Sequence, residues 1–332
     1  MSSFDLIYHC DSYPEIGNGH LKRGIDILNE IQSQSPELYL GIKGNLSQNA
    51  KLFLSKQLST KINVLSENEN YCSKVSVIDK MFIPENPDYV DNEICSKIKN
   101  YSNKSVLIHS GLNLEVPNSI DAVIGHLQSA KINNKNKCKT FMGFDFAPVS
   151  SEFKRERVLD PGNRIVCVLG GSKYEKSIVG FIDFLNNYKL IKYEIDIILS
   201  PHYEKSFVNE IKDISGSRLI VHQNVKSLIP YFINAKIVFT TYGNSTYESL
   251  TFFKPTFVMA YVKFQYDYAE FLEKEHLVVN LGYINNLDKI KFDQVMDESI
   301  HYKLARKAKL HFKNSGIDNI SKIILEYLNE IN

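Results

Sequence analysis

Apolar residues recur along this chain in short bursts separated by amphipathic stretches. In the first half the bursts fall at 4–10, 37–42, 62–65, 74–79, 104–109, 121–125 and 140–144, each the length of a strand. Between them, 20–33, 45–57 and 87–100 carry apolar residues near the helical period; in the first, Leu21, Ile25, Leu28 and Ile31 share a face. Strand and helix in alternation predict βαβ units on a parallel sheet. Residues 145–163 break the rhythm. Pro148, Ser150 and Ser151 precede the charged run Lys154-Arg155-Glu156-Arg157, and Asp160-Pro161-Gly162-Asn163 follows. Proline, glycine and charge together read as a link between domains. A second alternating set has strands at 164–169, 194–199, 218–222, 236–240, 256–260 and 277–280, and helices at 174–188, 204–214, 226–234, 245–253 and 266–275. Two more helices are expected at the end. The last, 317–331, carries Ile320, Ile323, Ile324, Tyr327, Leu328 and Ile331 as one apolar stripe.

The fold class that follows is α/β, in two similar units; two such domains facing each other would make a cleft, and the family resemblance given below implies that they are Rossmann-like. The expected bounds are 1–149 for the first domain, 150–163 for the linker, 164–315 for the second domain and 316–332 for the closing helix. Open parallel sheets bind ligands at the carboxyl ends of their strands, so the chemistry is sought in those loops.

Composition narrows the classes. A chain of 332 residues, 43% hydrophobic and 23% charged, suits two globular domains with real cores. The net charge of +1 gives no electrostatic reason to expect nucleic acid as a partner. No apolar run approaches the roughly 18 residues of a membrane span, so no transmembrane segment is expected. Asp5 and Asp11 stand where a signal peptide would be basic. Cys10, Cys72, Cys95, Cys138 and Cys167 are odd in number and lack CxxC spacing. They read as reduced thiols of a cytoplasmic protein rather than zinc ligands, and no metal or cofactor is expected.

The first candidate loop is Ile16-Gly17-Asn18-Gly19-His20-Leu21-Lys22-Arg23, with Asp11 and Ser12 just before it. Gly17, Asn18 and Gly19 form a turn that lets a ligand approach the backbone, and the helix behind it offers free N–H groups to an anion. His20 at the exit of the turn is a candidate general base, against the alternative of a helix cap or a core histidine. Arg23 fits either a phosphate or an ion pair with Asp11. In the second half, Cys167-Val168-Leu169 runs into Gly170-Gly171-Ser172, a contact for phosphate or sugar. A stronger element is Thr240-Thr241-Tyr242-Gly243-Asn244-Ser245-Thr246-Tyr247-Glu248. There a strand ends, a glycine turns, and Asn244, Ser245 and Thr246 open a helix able to hold a diphosphate. Glu248 can accept bonds from ribose hydroxyls, or it can close a capping box with Ser245. His222, Gln223, Asn224 and Val225 can offer backbone groups to a nucleobase, and Gln265 can reach a sugar hydroxyl.

Taken in order, Asp11-Ser12, Gly17-x-Gly19-His20-x-x-Arg23, Gly143-Phe144-Asp145-Phe146-Ala147 with Ser151-Glu152-Phe153, Gly170-Gly171, the Asn244–Glu248 helix start and Gln265 resemble one family. It is that of the PseG and SpsG UDP-sugar hydrolases, relatives of the MurG transferases. The resemblance implies a GT-B fold, with the closing helix crossing back to the first domain. It also implies a UDP-sugar held mainly by the second domain, with Glu248 at the ribose and His222 to Val225 near the uracil. His20 falls on the family's proposed base, and Asp79 on the aspartate of its Asp-x-Tyr motif. Three positions depart from the pattern. Asp-x-Tyr reads Asp79-Lys80-Met81, Gly-Gly-x-Asp reads Gly170-Gly171-Ser172-Lys173, and the asparagine before Gln265 is Phe264.

Two enzymatic readings follow. One is hydrolysis of a UDP-linked 2,4-diacetamido-2,4,6-trideoxyhexose by water, in the making of a pseudaminic-like acid, with His20, Asp11 and Asp79 as catalytic residues. The other is a glycosyltransferase that moves the sugar to an unknown acceptor in surface polysaccharide or glycoprotein assembly. A third reading is a nucleotide-sugar-binding module without catalysis.

Overall fold

The structure is a computed structural model that describes residues 2–13, 16–66, 68–83, 86–128, 130–135, 137–150, 152–153, 162–170, 174–188, 193–200 and 203–331. The chain forms two compact units. One is Met1–Ser151 with Asn314–Asn332, the other Glu152–Lys313. Most of the expected linker, 154–161, lies outside the described residues, while Glu152 and Phe153 belong to the second unit.

The first unit runs β1 (Ser2–Cys10), α1 (Gly19–Gln34), β2 (Leu40–Lys43), α2 (Gln48–Gln57), β3 (Asn63–Leu65), β4 (Tyr71–Asp79), α3 (Asn92–Lys99), β5 (Ser102–His109), β6 (Asn113–Glu115), β7 (Ala122–Gly125), β8 (Lys131–Asn133) and β9 (Lys139–Met142). Seven of these strands form a parallel sheet in the order β3-β2-β1-β4-β5-β7-β9. The order reverses beside β1, which places the loop after β1 at the switch point. β6 and β8 make a separate parallel pair that the hydrophobic pattern does not announce. Only Leu114 and Ile132 reach inward from it, too few apolar positions for a periodic signal. The helix expected over 87–100 starts only at Asn92. Asp91 caps it, its Oδ1 accepting from Ile94 N at 2.9 Å, and Pro87 lies outside.

The second unit runs β10 (Arg164–Leu169), α4 (Glu175–Asn187), β11 (Glu194–Leu199), α5 (Lys205–Ile214), β12 (Leu219–Gln223), α6 (Ile229–Asn234), β13 (Ala235–Thr241), α7 (Asn244–Thr251), β14 (Thr256–Ala260), α8 (Lys263–Lys274), β15 (Val279–Tyr283), β16 (Asn286–Leu287), α9 (Lys289–Asp293) and α10 (Glu298–His311). Its sheet has the order β12-β11-β10-β13-β14-β15-β16, parallel except for β16. Ile165, Cys167 and Leu169 of β10 and Ile195, Ile197 and Leu199 of β11 point to one side, where α4 and α5 bury Phe181, Ile182, Phe207 and Ile211 against them. The described cysteines are all free thiols.

The chain then closes with α11 (Gly316–Asn329), which belongs to the first unit. Its Ile320, Ile324, Tyr327 and Leu328 share a core with Leu21, Leu28 and Ile31 of α1. Ser315 caps it, accepting from Asp318 N at 3.3 Å and donating to Val149 O at 2.9 Å. A Cβ on Gly316 would stand 1.7 Å from the Ala147 carbonyl oxygen, so only glycine fits this start. No described helix is long and apolar enough to cross a membrane.

Candidate active site

Asp79 ends β4 beside Cys10, the last residue of β1. Its carboxylate is fully buried. Tyr8 lies on the same face of the sheet and donates its hydroxyl to Asp79 Oδ2 at 2.5 Å. α1 passes over that face. His20 and Arg23, three residues apart and therefore on one side of the helix, both reach Asp79. Arg23 donates Nε–H to Oδ2 at 2.6 Å and Nη2–H to Oδ1 at 2.5 Å, a two-point grip. His20 Nδ1 lies 2.7 Å from Oδ1. The close approach depends on Gly24, where a Cβ would stand 2.6 Å from the Tyr8 ring.

The charges fix the histidine tautomer. An ionised carboxylate only accepts, so the His20 proton on that side sits on Nδ1 and is donated to Asp79. Arg23 Nη2, 3.1 Å from the same nitrogen, is then a close neighbour and not a donor to it. Burial alone would raise the Asp79 pKa. The charge of Arg23, followed by the charge and hydrogen bond of His20, outweighs it and holds the carboxyl well below the usual range. Burial, and then the charge of Asp79, push the Tyr8 hydroxyl well up, so it stays a donor. With Nδ1 occupied, the neutral ring has its lone pair on Nε2. His20 is partly exposed, at 13% of its side chain. It lines a hollow of about 20 Å³ whose walls include Lys80, Met81, Leu107, His109 and Ser110.

The rest of the loop is tied locally. Gly17 adopts φ 70°, which favours glycine, and its N–H donates to Tyr13 O at 2.9 Å. Asn18 takes the cap position of α1, but its side chain does not cap. Its Oδ1 accepts from Ser12 Oγ at 2.5 Å. Gly19, exposed, opens the helix. Asp11 stands apart from the His20 and Asp79 pair. Its Oδ1 accepts from Asn45 N at 2.8 Å and from Lys80 Nζ at 2.7 Å, so it anchors the residue that follows Asp79. The ion pair allowed between Arg23 and Asp11 is therefore not formed. Nor is Arg23 turned toward a phosphate: it is 3% exposed, gripping Asp79 and donating Nη1–H to Ser110 Oγ at 3.2 Å.

In the second unit, Gly170 closes β10 at φ +45°, and a Cβ there would stand 2.8 Å from Thr241 Oγ1 and 3.2 Å from the Tyr261 ring. Both conformation and space require glycine. Gly171 and Ser172 lie outside the described residues. α7 begins at Asn244 with Gly243 as its cap and no side-chain cap. The capping box offered for Ser245 and Glu248 is therefore absent, because Ser245 already lies inside the helix. Asn244 and Ser245 are half-buried at the helix start, whereas Thr246 turns its hydroxyl inward to Thr240 Oγ1 at 2.9 Å. Glu248 is buried at 3% exposure.

Two further candidate side chains are held by neighbours. Gln265 is buried, accepting from Tyr261 N at 2.8 Å and donating to Tyr242 O at 3.2 Å. It bridges the loops after β13 and β14, and both ends of its amide are spent there. His222 lies within β12, and its Nε2 is 2.7 Å from Oδ1 of the buried Asp196, which Arg164 also grips. That imidazole is held to the sheet face. Only the backbone from Gln223 to Val225, with Asn224 at φ 57°, lies at the strand end. Asp196 was not found in the sequence because an isolated acid inside an apolar strand has no local signature.

No protein-family model and no curated protein matches the sequence. Solved structures do match in shape. A MurG from Acinetobacter baumannii superposes with a TM-score of 0.63 at 11% identity, over 98% of this chain and 100% of that one. Os79 from O. sativa, in complex with UDP, gives 0.65 at 10% identity, over 96% and 100%. The chain has a GT-B fold. A third GT-B match, the S. aureus MnaA co-structure with UDP, gives 0.60 at 9% identity, over 99% and 97%. Identities this low establish the GT-B architecture and leave the chemistry to the residues.

Proposed function

We propose that this protein is a nucleotide-sugar enzyme whose general base is His20, and that it works as a UDP-sugar hydrolase of the PseG type. The observation that carries the reading is the 2.7 Å contact from His20 Nδ1 to buried Asp79, which leaves Nε2 as the accepting nitrogen of the neutral ring. Positioned bases of this kind contribute about 10²–10⁴ in rate. UDP is the proposed nucleotide because two of the matched structures hold UDP and the motif order resembles a UDP-sugar family. In this reading Gly170 and the backbone of Asn244 and Ser245 hold the diphosphate, and Gly17, Asn18 and Gly19 are candidate sugar contacts. Glu248 meets the ribose, and the backbone from Gln223 to Val225, just after His222, meets the uracil. The start of α7, where Gly243 brings no side-chain cap, suits a diphosphate because backbone amides at a helix start stabilise charge on a leaving group. Water attacks the anomeric carbon, His20 takes its proton, and UDP departs.

A second reading, sugar transfer, is favoured by one feature of the first unit. A groove of about 620 Å³ runs along Asp88, Asn113, Glu115 and Lys131. It adjoins the His20 hollow, since Pro87 lines one and Asp88 the other, and His109 Nε2 meets Asn113 O at 3.1 Å. Product analysis separates the two. The purified protein is given UDP-2,4-diacetamido-2,4,6-trideoxy-altrose without an acceptor. Free sugar and UDP in equal amounts support hydrolysis. UDP binding without release sets hydrolysis of this donor aside and favours transfer.

A further inference from the structure

The outer face of α10 carries charge of one sign. Between Glu298 and Asp318 the chain has no acid, but it has Lys303, Arg306, Lys307, Lys309 and Lys313. The whole chain is only +1, so the remainder is net acidic and positive charge is gathered here. At about 100° per residue, Tyr302, Lys303, Arg306, Lys309 and Leu310 fall within about a third of the helix circumference. All of them are exposed, Tyr302 at 69% and Leu310 at 58%. The opposite side is core. His301, Leu304 and Ala308 are buried, and Phe312, just beyond the helix, meets the Tyr247 ring of α7 at 6.3 Å. Other lysines of this unit are neutralised: Lys263 pairs with Asp267 at 2.8 Å, Lys274 with Glu270 at 3.0 Å and Lys291 with Glu273 at 2.8 Å. At the start of α10, Asp297 caps the helix and Glu298 is taken by Lys236 at 3.0 Å. The cations from Lys303 to Lys313 form no ion pair among the described residues. Basic residues in a last turn offset the helix dipole, but that effect does not reach Lys303 and gives no reason to expose Tyr302 and Leu310.

We propose that this face of α10 docks the protein on an anionic lipid surface. The cations meet headgroup phosphates, while the Tyr302 ring and Leu310 enter the boundary between headgroups and acyl chains. Charge complementarity calls for a polyanion, and the apolar pair selects among polyanions. Phosphate contacts to a nucleic acid leave Leu310 in water, whereas a lipid boundary takes up cations and apolar side chains on one helix face. The inference does not depend on which reaction His20 serves.

Vesicle flotation with the full chain tests this, at about 0.1 M salt, where surface charge still acts over about 10 Å. Vesicles of phosphatidylcholine with about a third phosphatidylglycerol are expected to bind the protein at least about tenfold better than phosphatidylcholine alone. Arg306→Glu with Lys309→Glu should lose about tenfold or more. Lys51→Glu with Lys56→Glu on α2, which changes net charge equally at exposed positions, should stay within about threefold. Tyr302→Ser with Leu310→Ser keeps the charge and should still lose about fivefold or more. All these positions are exposed, so the fold tolerates the changes. No preference for phosphatidylglycerol overturns the proposal, as does an equal loss in the two charge reversals. Full binding by the Tyr302→Ser, Leu310→Ser protein overturns it too, as does duplex DNA or polyglutamate bound as tightly as the vesicles, since the face then recognises charge alone.

Discussion

His20 Nδ1 and Asp79 Oδ1 meet at 2.7 Å although 59 residues separate them in the chain. The contact fixes which ring nitrogen carries the proton, so its loss should be felt in turnover before binding. Asp79→Asn keeps the shape but offers an N–H or a carbonyl in place of a carboxylate. Turnover is expected to fall by about 10²–10⁴ while UDP affinity stays within a few-fold. Steady-state rates with calorimetric UDP titration check this. Unchanged turnover would remove Asp79 from the mechanism.

Arg23 serves that same carboxylate. Removing one partner of a buried ion pair costs about 3–5 kcal/mol, because the other charge remains buried without its counter-charge. Arg23→Met should therefore lower stability by that order in urea unfolding, with UDP affinity of the folded fraction retained. A stable Arg23→Met protein with weakened UDP binding would return Arg23 to the phosphate.

Gln265 offers a parallel test in the second unit. Its amide satisfies Tyr261 N and Tyr242 O, and leaving such groups unpaired costs about 1–3 kcal/mol each. Gln265→Ala is expected to destabilise the fold, whereas a sugar-contacting role would raise KM at unchanged stability. Thermal unfolding and KM measured on one preparation tell these apart.

Acid should unfold the protein in two stages. Burial, aided by Lys80 and Lys43 for His9 and by Arg23 for His126, pushes the pKa of each down to about 3, and burial takes His109 to about 4. An unfolded histidine titrates near ~6.5, so as pH falls below that value the unfolded chain binds protons first and stability drops. The contribution of each is complete above about pH 6.5 and declines toward its folded pKa. Asp79, whose folded pKa is depressed, contributes above about pH 4 and loses that contribution only below it. Tm should fall from pH 7 to 5 and faster below 4, with His9→Gln flattening the first segment. A level Tm between pH 7 and 5 would contradict this.

The two α/β halves were legible because strands buried on both faces read as continuous apolar runs and the helices between them as stripes. His20 was legible from its place between a glycine turn and a helix. Its partner was not fixed by any local pattern, because Asp79 meets it only through the pairing of β1 with β4. The same limit explains Arg23, Gln265 and His222. Each looked available along the chain, and each spends its polar atoms on a group that the sheet brings alongside. At the helix start by Asn244, one of the two alternatives left open by the sequence falls away. The Ser245 and Glu248 spacing fits a capping box, but Gly243, in extended conformation at φ 164°, starts the helix earlier.

The central claim is that His20 acts as the base. It is tested most directly by UDP release from UDP-2,4-diacetamido-2,4,6-trideoxy-altrose by the native protein and by His20→Ala, with UDP affinity measured for both. The account predicts release that drops by about 10²–10⁴ in His20→Ala at unchanged UDP affinity. Equal release by the two proteins would contradict it.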